Sequence, residues 1–397
     1  MRIGFLFNHD HVHQVRHSLP IAIELARRGR CGSVVALTGS ARITAEVRKI
    51  LREQQSDVEV EELSLRSRTG KLFNAGLNWL IPAHKLALYR DNLDVFRSLD
   101  VLVVTEKTST VLRSRYGLKH LKLIHTRHGA GDRAIGFNRA SSRFDMVLVA
   151  GDAIRKRLIE EAAIEEHRIA VVGYPKFDVA PARVTHGPFP DSKRPTVLYN
   201  PHVAPHLSSW FRHGEDVLQF FARNQDYNLI FAPHVMLFER PVTVTISPPR
   251  LHWPGSIPER IRRAPNIHID LSSPACTDMT YTQAADIYLG DVSSQVYEFL
   301  VDPRPCIFLN SHRRTDYEDD PNFAHWAAGD VIDDVAALDD ALRSAVEWPD
   351  RHKAAQQRLF ASHIDLTEEK SSARGARTIE HFVIGLDETP PVSRLVA

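Results

Sequence analysis

Apolar runs of strand length alternate with helix-period segments from the first residues onward, and the alternation breaks only once before it restarts. Arg2–Phe7 reads as a strand. Residues 12–28 read as a helix with Val15, Leu19, Ala22, Ile23, Leu25 and Ala26 on its inner face and Gly29 as its stop. Residues 33–37, 101–105, 121–125, 146–149 and 169–172 read as further strands, and 41–54 and 151–162 as helices. Strand and helix in alternation imply a parallel sheet covered on both faces. The pattern then stops. Between Val179 and Pro195 stand Pro181, Gly187, Pro188 and Pro190, with no apolar period, which marks a joint. Strands resume at 196–199, 228–231, 266–270, 286–289 and 305–309, with helices at 209–223, 278–285, 293–301 and 336–346. Residues 240–265 are rich in proline and read as irregular.

The expectation is two Rossmann-like, doubly wound α/β domains. The first spans 1–180, a linker 181–195, the second 196–375, and 376–397 forms a tail. The length agrees, because a chain of 397 residues exceeds the roughly 250–300 that one core usually serves. In such sheets ligands sit beyond the carboxyl ends of the strands, so the chemistry is sought in residues that follow strands.

A formal net charge of +1 and the lack of a basic stripe exclude the usual electrostatic footprint of a nucleic-acid binder. Cys31, Cys276 and Cys306 are odd in number and far apart, so neither a disulfide framework nor a zinc pattern follows. A reducing, cytoplasmic setting is the expectation. No run of 18 apolar residues occurs, and the apolar run at Met1–Phe7 is too short for the core of a signal peptide. Residues 71–97 combine Phe73, Leu77, Trp79, Leu80, Leu86 and Tyr89 with Lys71, Lys85 and Arg90. That pattern suits peripheral contact with the inner face of a membrane, and equally a helix pair packed on the core.

The stretch 285–310 is the most informative. A strand ends in Gly290-Asp291, and Ser293 or Ser294 can cap the helix that follows. A helix start offers unpaired N–H groups to an anion, and Glu298 lies one turn further in, where a carboxylate could accept from ribose hydroxyls. Capping alone would use the same residues.

The run Asp291-Val292-Ser293-Ser294 followed by Arg304-Pro305 resembles the Asp-Tyr-Ser-Ser and Arg-Pro of the CDP-glycerol glycerophosphotransferase family, the teichoic-acid type polymerases and primases. Other landmarks come in the same order. Thr126-Arg127-His128-Gly129-Ala130-Gly131 is similar to Trp-His-Gly-Thr, and Gly173-Tyr174-Pro175-Lys176-Phe177-Asp178 to Gly-Tyr-Pro-Arg-Asn-Asp. Leu198-Tyr199-Asn200-Pro201 is similar to Leu-Tyr-Ala-Pro, and Ala232-Pro233-His234 to Leu-His-Pro. The resemblance covers roughly 100–310. The chain departs from it at Arg127 for tryptophan, Ala130-Gly131 for Thr-Pro, Val235 for proline and Val292 for tyrosine.

The resemblance implies a GT-B architecture, with both domains facing a central cleft, and a CDP-activated donor. A phosphoalditol group would pass to a glycan or lipid-linked acceptor. His128 is implied as the base, and a neutral imidazole suits that task. His234 would bond the donor phosphate or support the leaving group. Gly129, Gly173, Tyr174, Asn200, Asp291, Ser293, Ser294 and Glu298 are the expected donor-binding residues. His11 and His17, near the first strand, are candidates for the acceptor.

No cofactor or metal is expected. His9, His11 and His13 cluster in a loop, but neither a His-Glu-x-x-His nor an Asp-x-Asp motif occurs. The absence of Gly-x-Gly-x-x-Gly argues against a dehydrogenase. A sugar transferase or UDP-N-acetylglucosamine 2-epimerase, and a non-catalytic nucleotide- or glycan-binding domain, are the alternatives. Arg313 and Arg314 could reach a phosphate or lie on the surface, and the acidic run after them reads as a solvated loop.

Overall fold

Strands that are apolar at every position cannot leave a face in water, so they settle at the centre of sheets covered on both sides. The computed structural model describes residues 1–8, 12–65, 83–127, 136–181, 187–239, 242–246 and 249–385, with backbone alone at 13, 83, 244–246 and 249. Two units are found. The first draws on the described residues of 1–129, 137–179 and 364–397, and the second on those of 130–136 and 180–363.

The first sheet contains β1 (Arg2–Phe7), β2 (Ser33–Thr38), β3 (Glu59–Glu62), β4 (Val101–Val104), β5 (Lys122–Thr126), β6 (Met146–Val149) and β7 (Ile169–Val171). Its order is β3-β2-β1-β4-β5-β6-β7, parallel throughout. The second unit holds β8 (Thr196–Asn200), β9 (Asn228–Phe231), β10 (Thr243–Ile246), β11 (Pro249–His252), β12 (Ile267–Ile269), β13 (Ile287–Gly290), β14 (Cys306–Leu309) and β15 (Asp330–Ile332). Six of these form a parallel sheet in the order β12-β9-β8-β13-β14-β15, and β10 and β11 pair as an antiparallel hairpin. Residues 240–265 are thus not wholly irregular, since the hairpin lies within them.

The expected helix over 12–28 divides. Val12–His17 is a 3-10 segment, and the α-helix is Leu19–Arg28, with Pro20 in its first turn. A proline is accommodated there because the first-turn N–H groups have no intrahelical partner. The chain also returns to the first unit at its end. The helix Ser371–Ile384, expected to straddle the second domain and a tail, buries Ala376 and Ile379 in the core of the first unit with Leu19, Ile21 and Ile23.

In the described part of 71–97, the helices Ala83–Asp91 and Leu93–Arg97 bury Leu88, Tyr89 and Phe96. These side chains belong to the core of the unit and not to a membrane-facing surface; residues 66–82 lie outside the described residues. Among the described residues no helix is long and apolar enough to cross a membrane.

Gly173 follows β7 with φ +84°, and a Cβ there would approach the Asp365 carbonyl oxygen to 2.8 Å and collide with Ser371. The glycine is therefore required where the chain end meets the first unit. Gly173→Ala is expected to destabilise the protein by about 2 kcal/mol or more, from left-handed strain plus overlap. Urea unfolding checks this; an unchanged midpoint contradicts it.

Candidate functional site

In the second sheet the strand order reverses between β8 and β13, the switch point at which doubly wound sheets take ligands. Asn200 ends β8 and Gly290-Asp291 ends β13, side by side in register. A Cβ at Gly290 would lie 2.7 Å from the Tyr288 ring. The glycine makes room for Tyr288, whose hydroxyl donates to Asn200 Oδ1 at 3.3 Å.

Asp291 is 1% exposed and accepts four hydrogen bonds. Oδ1 accepts from the His202 N–H at 2.9 Å and the Val292 N–H at 2.7 Å. Oδ2 accepts from the Ser209 N–H at 2.6 Å and the Ser209 hydroxyl at 2.8 Å. Its carbonyl accepts from the Trp326 indole at 3.0 Å and from His325 Nε2 at 3.1 Å. Burial is the largest influence on its carboxyl and pushes it up to about 6, against the pull of these donors. Asp291 therefore ties the loop after β8 to the loop after β13. Both oxygens are engaged by the protein, which fits the loop-orienting role among those expected of it.

Other expected site residues lie on this edge. Asn200 is 1% exposed. Its amide donates to the Ala232 carbonyl at 2.6 Å, and its oxygen accepts from Ser293 Oγ at 2.9 Å. Asn200 thus braces the loops after β8, β9 and β13. Ser293, not Ser294, accepts a first-turn N–H, that of Gln295 at 3.2 Å, and Ser294 makes no side-chain cap. The helix itself is only Gln295–Phe299, too short to gather much dipole, so an anion there would depend on N–H groups and hydroxyls. Glu298 is 3% exposed and lies inside the unit.

His234 follows β9, half-buried, and its Nδ1 accepts from the Met236 N–H at 3.3 Å. Sequence reasoning missed its neighbour His202, which follows β8 and is 2% exposed. His202 Nδ1 accepts from the Ala204 N–H at 2.9 Å. The two rings meet edge to face with centroids 5.7 Å apart. In both rings an accepting Nδ1 places the proton on Nε2, giving two neutral N–H donors. The signal that could have found His202 is the one used for His234, a histidine two or three residues beyond a strand.

The first unit has its own switch point, between β1 and β4. There Asn8 donates to the Tyr89 hydroxyl at 2.9 Å, which donates to Glu106 Oε1 at 2.6 Å. Glu106 also accepts from the Thr108 and Ser109 N–H groups at 2.6 and 3.0 Å. Beside it, burial and then the Arg127 guanidinium lower Lys107 to about 8.

Of the acceptor candidates, His17 is 6% exposed and packs edge-on to Tyr174, ring centroids 5.3 Å apart. Tyr174 is 3% exposed and also packs on Phe177. His17, Gly173 and Tyr174 are thus packed inside the first unit. His11, His128 and Gly129 lie outside the described residues. Among the described residues no group of three or more histidine, cysteine or acidic side chains could hold a metal ion.

No protein family and no curated protein matches the sequence. Solved structures do match in fold. The wall teichoic acid polymerase TagF aligns with TM-score 0.57 and 12% identity over 97% of this chain and 88% of that one. UDP-GlcNAc 2-epimerase from Neisseria meningitidis, bound to UDP-GlcNAc, aligns with TM-score 0.64 and 11% identity over 97% and 100%. The glycotransferase of kitacinnamycin aligns with TM-score 0.54 and 14% identity over 96% and 98%. At these identities the likeness is one of fold: two parallel α/β units, of seven and six strands among the described residues, of the GT-B type.

Proposed function

We propose that this chain is a transferase that binds a nucleotide-activated donor at the switch point of its second unit and moves a phosphoalditol group from a CDP-linked donor to a glycan or lipid-linked hydroxyl. The observation that carries the reading is the pair of strand-end imidazoles, His202 and His234, held with Nε2–H donors beside loops that Asp291 locks together. Fixed donors of this kind stabilise charge that develops on a departing phosphate. The motif order and the likeness in fold to a teichoic acid polymerase agree with it.

In the reaction an acceptor oxygen attacks the phosphorus that carries glycerol, and the bond from that phosphorus to the bridging oxygen breaks. CMP leaves with the bonding pair, and the hydroxyl proton passes to the His128 imidazole. Positioning and electrostatics supply most of the rate in such transfers, and no metal is invoked. The alternative is chemistry on a UDP-sugar, favoured by the TM-score of 0.64 to the epimerase. Asp291 weighs against the epimerase form, since it is buried with both oxygens engaged by the protein.

The test is nucleotide release from a panel of activated donors. CMP is expected from CDP-glycerol, with loss of at least about a hundredfold in His128→Ala. UDP from a UDP-sugar, with no CMP from CDP-glycerol, would transfer the assignment to a sugar enzyme. Release of neither nucleotide would leave a binding domain.

A further inference from the structure

The loop after β14, the strand beside β13, carries Asn310, Ser311, His312, Arg313 and Arg314, and faces the first turn of the helix Trp210–Arg223. Arg212 on that turn donates to the Ser311 carbonyl at 2.7 Å. His312 is hydrogen-bonded to the backbone of Ser208, in the loop that also carries His202 and Ser209. The Ser208 N–H already donates to the Ala204 carbonyl, so the bond is His312 N–H to the Ser208 carbonyl.

Two polar atoms here have no partner in the protein. Ser311 is 3% exposed and its Oγ is buried without a hydrogen bond. His312 Nε2 is likewise buried and unpartnered, so the bond to Ser208 belongs to Nδ1. Burial, then the Arg212 guanidinium, lowers the pKa of His312, with smaller contributions from His206 and His213. The ring is thus neutral, and Nε2 presents a bare lone pair that can only accept. Buried polar atoms without partners are rare in native proteins, and two adjacent ones beside a guanidinium ask for a ligand with matching groups.

We propose that Ser311, His312 and Arg212 form a subsite for a phosphorylated polyol. A ligand hydroxyl donates to His312 Nε2 and a second exchanges a bond with Ser311 Oγ, while phosphate oxygens take the guanidinium. The inference rests on reading the second unit as the donor-binding one, and it assigns this loop to the group being transferred rather than to the nucleotide.

The test titrates glycerol 3-phosphate, inorganic phosphate and CDP separately into the full-length protein by calorimetry. Glycerol 3-phosphate is expected to bind about tenfold more tightly than phosphate, the worth of one well-made hydrogen bond. His312→Asn keeps an N–H for the Ser208 carbonyl and deletes Nε2. It and Ser311→Ala are each expected to remove that preference while leaving CDP affinity unchanged. Equal affinity for the two phosphates, no binding of either, or an undiminished preference in His312→Asn overturns the proposal. If CDP fails to bind while glycerol 3-phosphate behaves as expected, the donor reading falls and the subsite stands. If CDP binds and the polyol preference is missing, the reverse holds.

Discussion

Asp291→Asn parts the loops after β8 and β13 and removes nucleotide binding with them. The carboxylate meets four donors, from His202, Ser209 twice and Val292. An amide of the same shape accepts on one side only, and its NH2 confronts the Ser209 N–H. A buried donor left without an acceptor costs about 1–3 kcal/mol, and the loops after β8 and β13 separate as well. The same residue leaves a mark on the pH dependence. Its folded pKa is raised by burial to about 6, above the ordinary 3.8. The folded state therefore holds this proton more tightly than the unfolded state does. That contribution is fully present below pH 4 and is lost as pH rises through 6. In urea titrations from pH 4 to 7, wild-type stability should fall relative to Asp291→Asn by roughly 3 kcal/mol. Parallel curves for the two proteins contradict the burial of this carboxyl.

The second large effect falls on turnover. His234→Ala should reduce CMP release from CDP-glycerol on the order of 10²–10³-fold, the usual loss on deleting a donor aimed at developing charge. Stability should change by about 1 kcal/mol or less, because the ring is only half-buried. A proportionate fall in stability, or a rate within about threefold of wild type, would assign the ring to packing. His202 is a different case. It is 2% exposed, and its backbone N–H serves Asp291, so its replacement mixes rate with folding.

The sheets were legible because their inner strands are nearly pure Val, Ile, Leu and Phe, and these runs survive any reasonable reading of period. β3 was not, since Glu59-Val60-Glu61-Glu62 at the edge of the first sheet carries a single apolar residue. The hairpin β10–β11 was hidden by its prolines, and β15 by the aspartates that flank its two apolar residues. The unit that the helix Ser371–Ile384 packs on was not legible, because its contact with the first α-helix of the chain closes a loop of about 350 residues and leaves no local trace.

The candidate site divides in the same way. The strand-end rule directs attention to the residues after β8, β9 and β13. Their roles do not follow from it, because each depends on a partner far off in sequence. Asp291 is set by Ser209, 82 positions away, and Asn200 by Ser293, 93 positions away. The histidines could be noticed one at a time, but only the folded chain brings His202 and His234 together. Gly173 and Tyr174 stood in a motif that matched, and the structure uses them for packing at the chain end.

Amide hydrogen exchange of the full-length protein with and without CDP tests most directly whether the second unit grips a nucleotide at its strand reversal. Slowing is expected in peptides covering 201–209, 232–237 and 291–299, and it should vanish in Asp291→Asn. Exchange unaltered in all three segments, or protection confined to the first unit, would contradict the account.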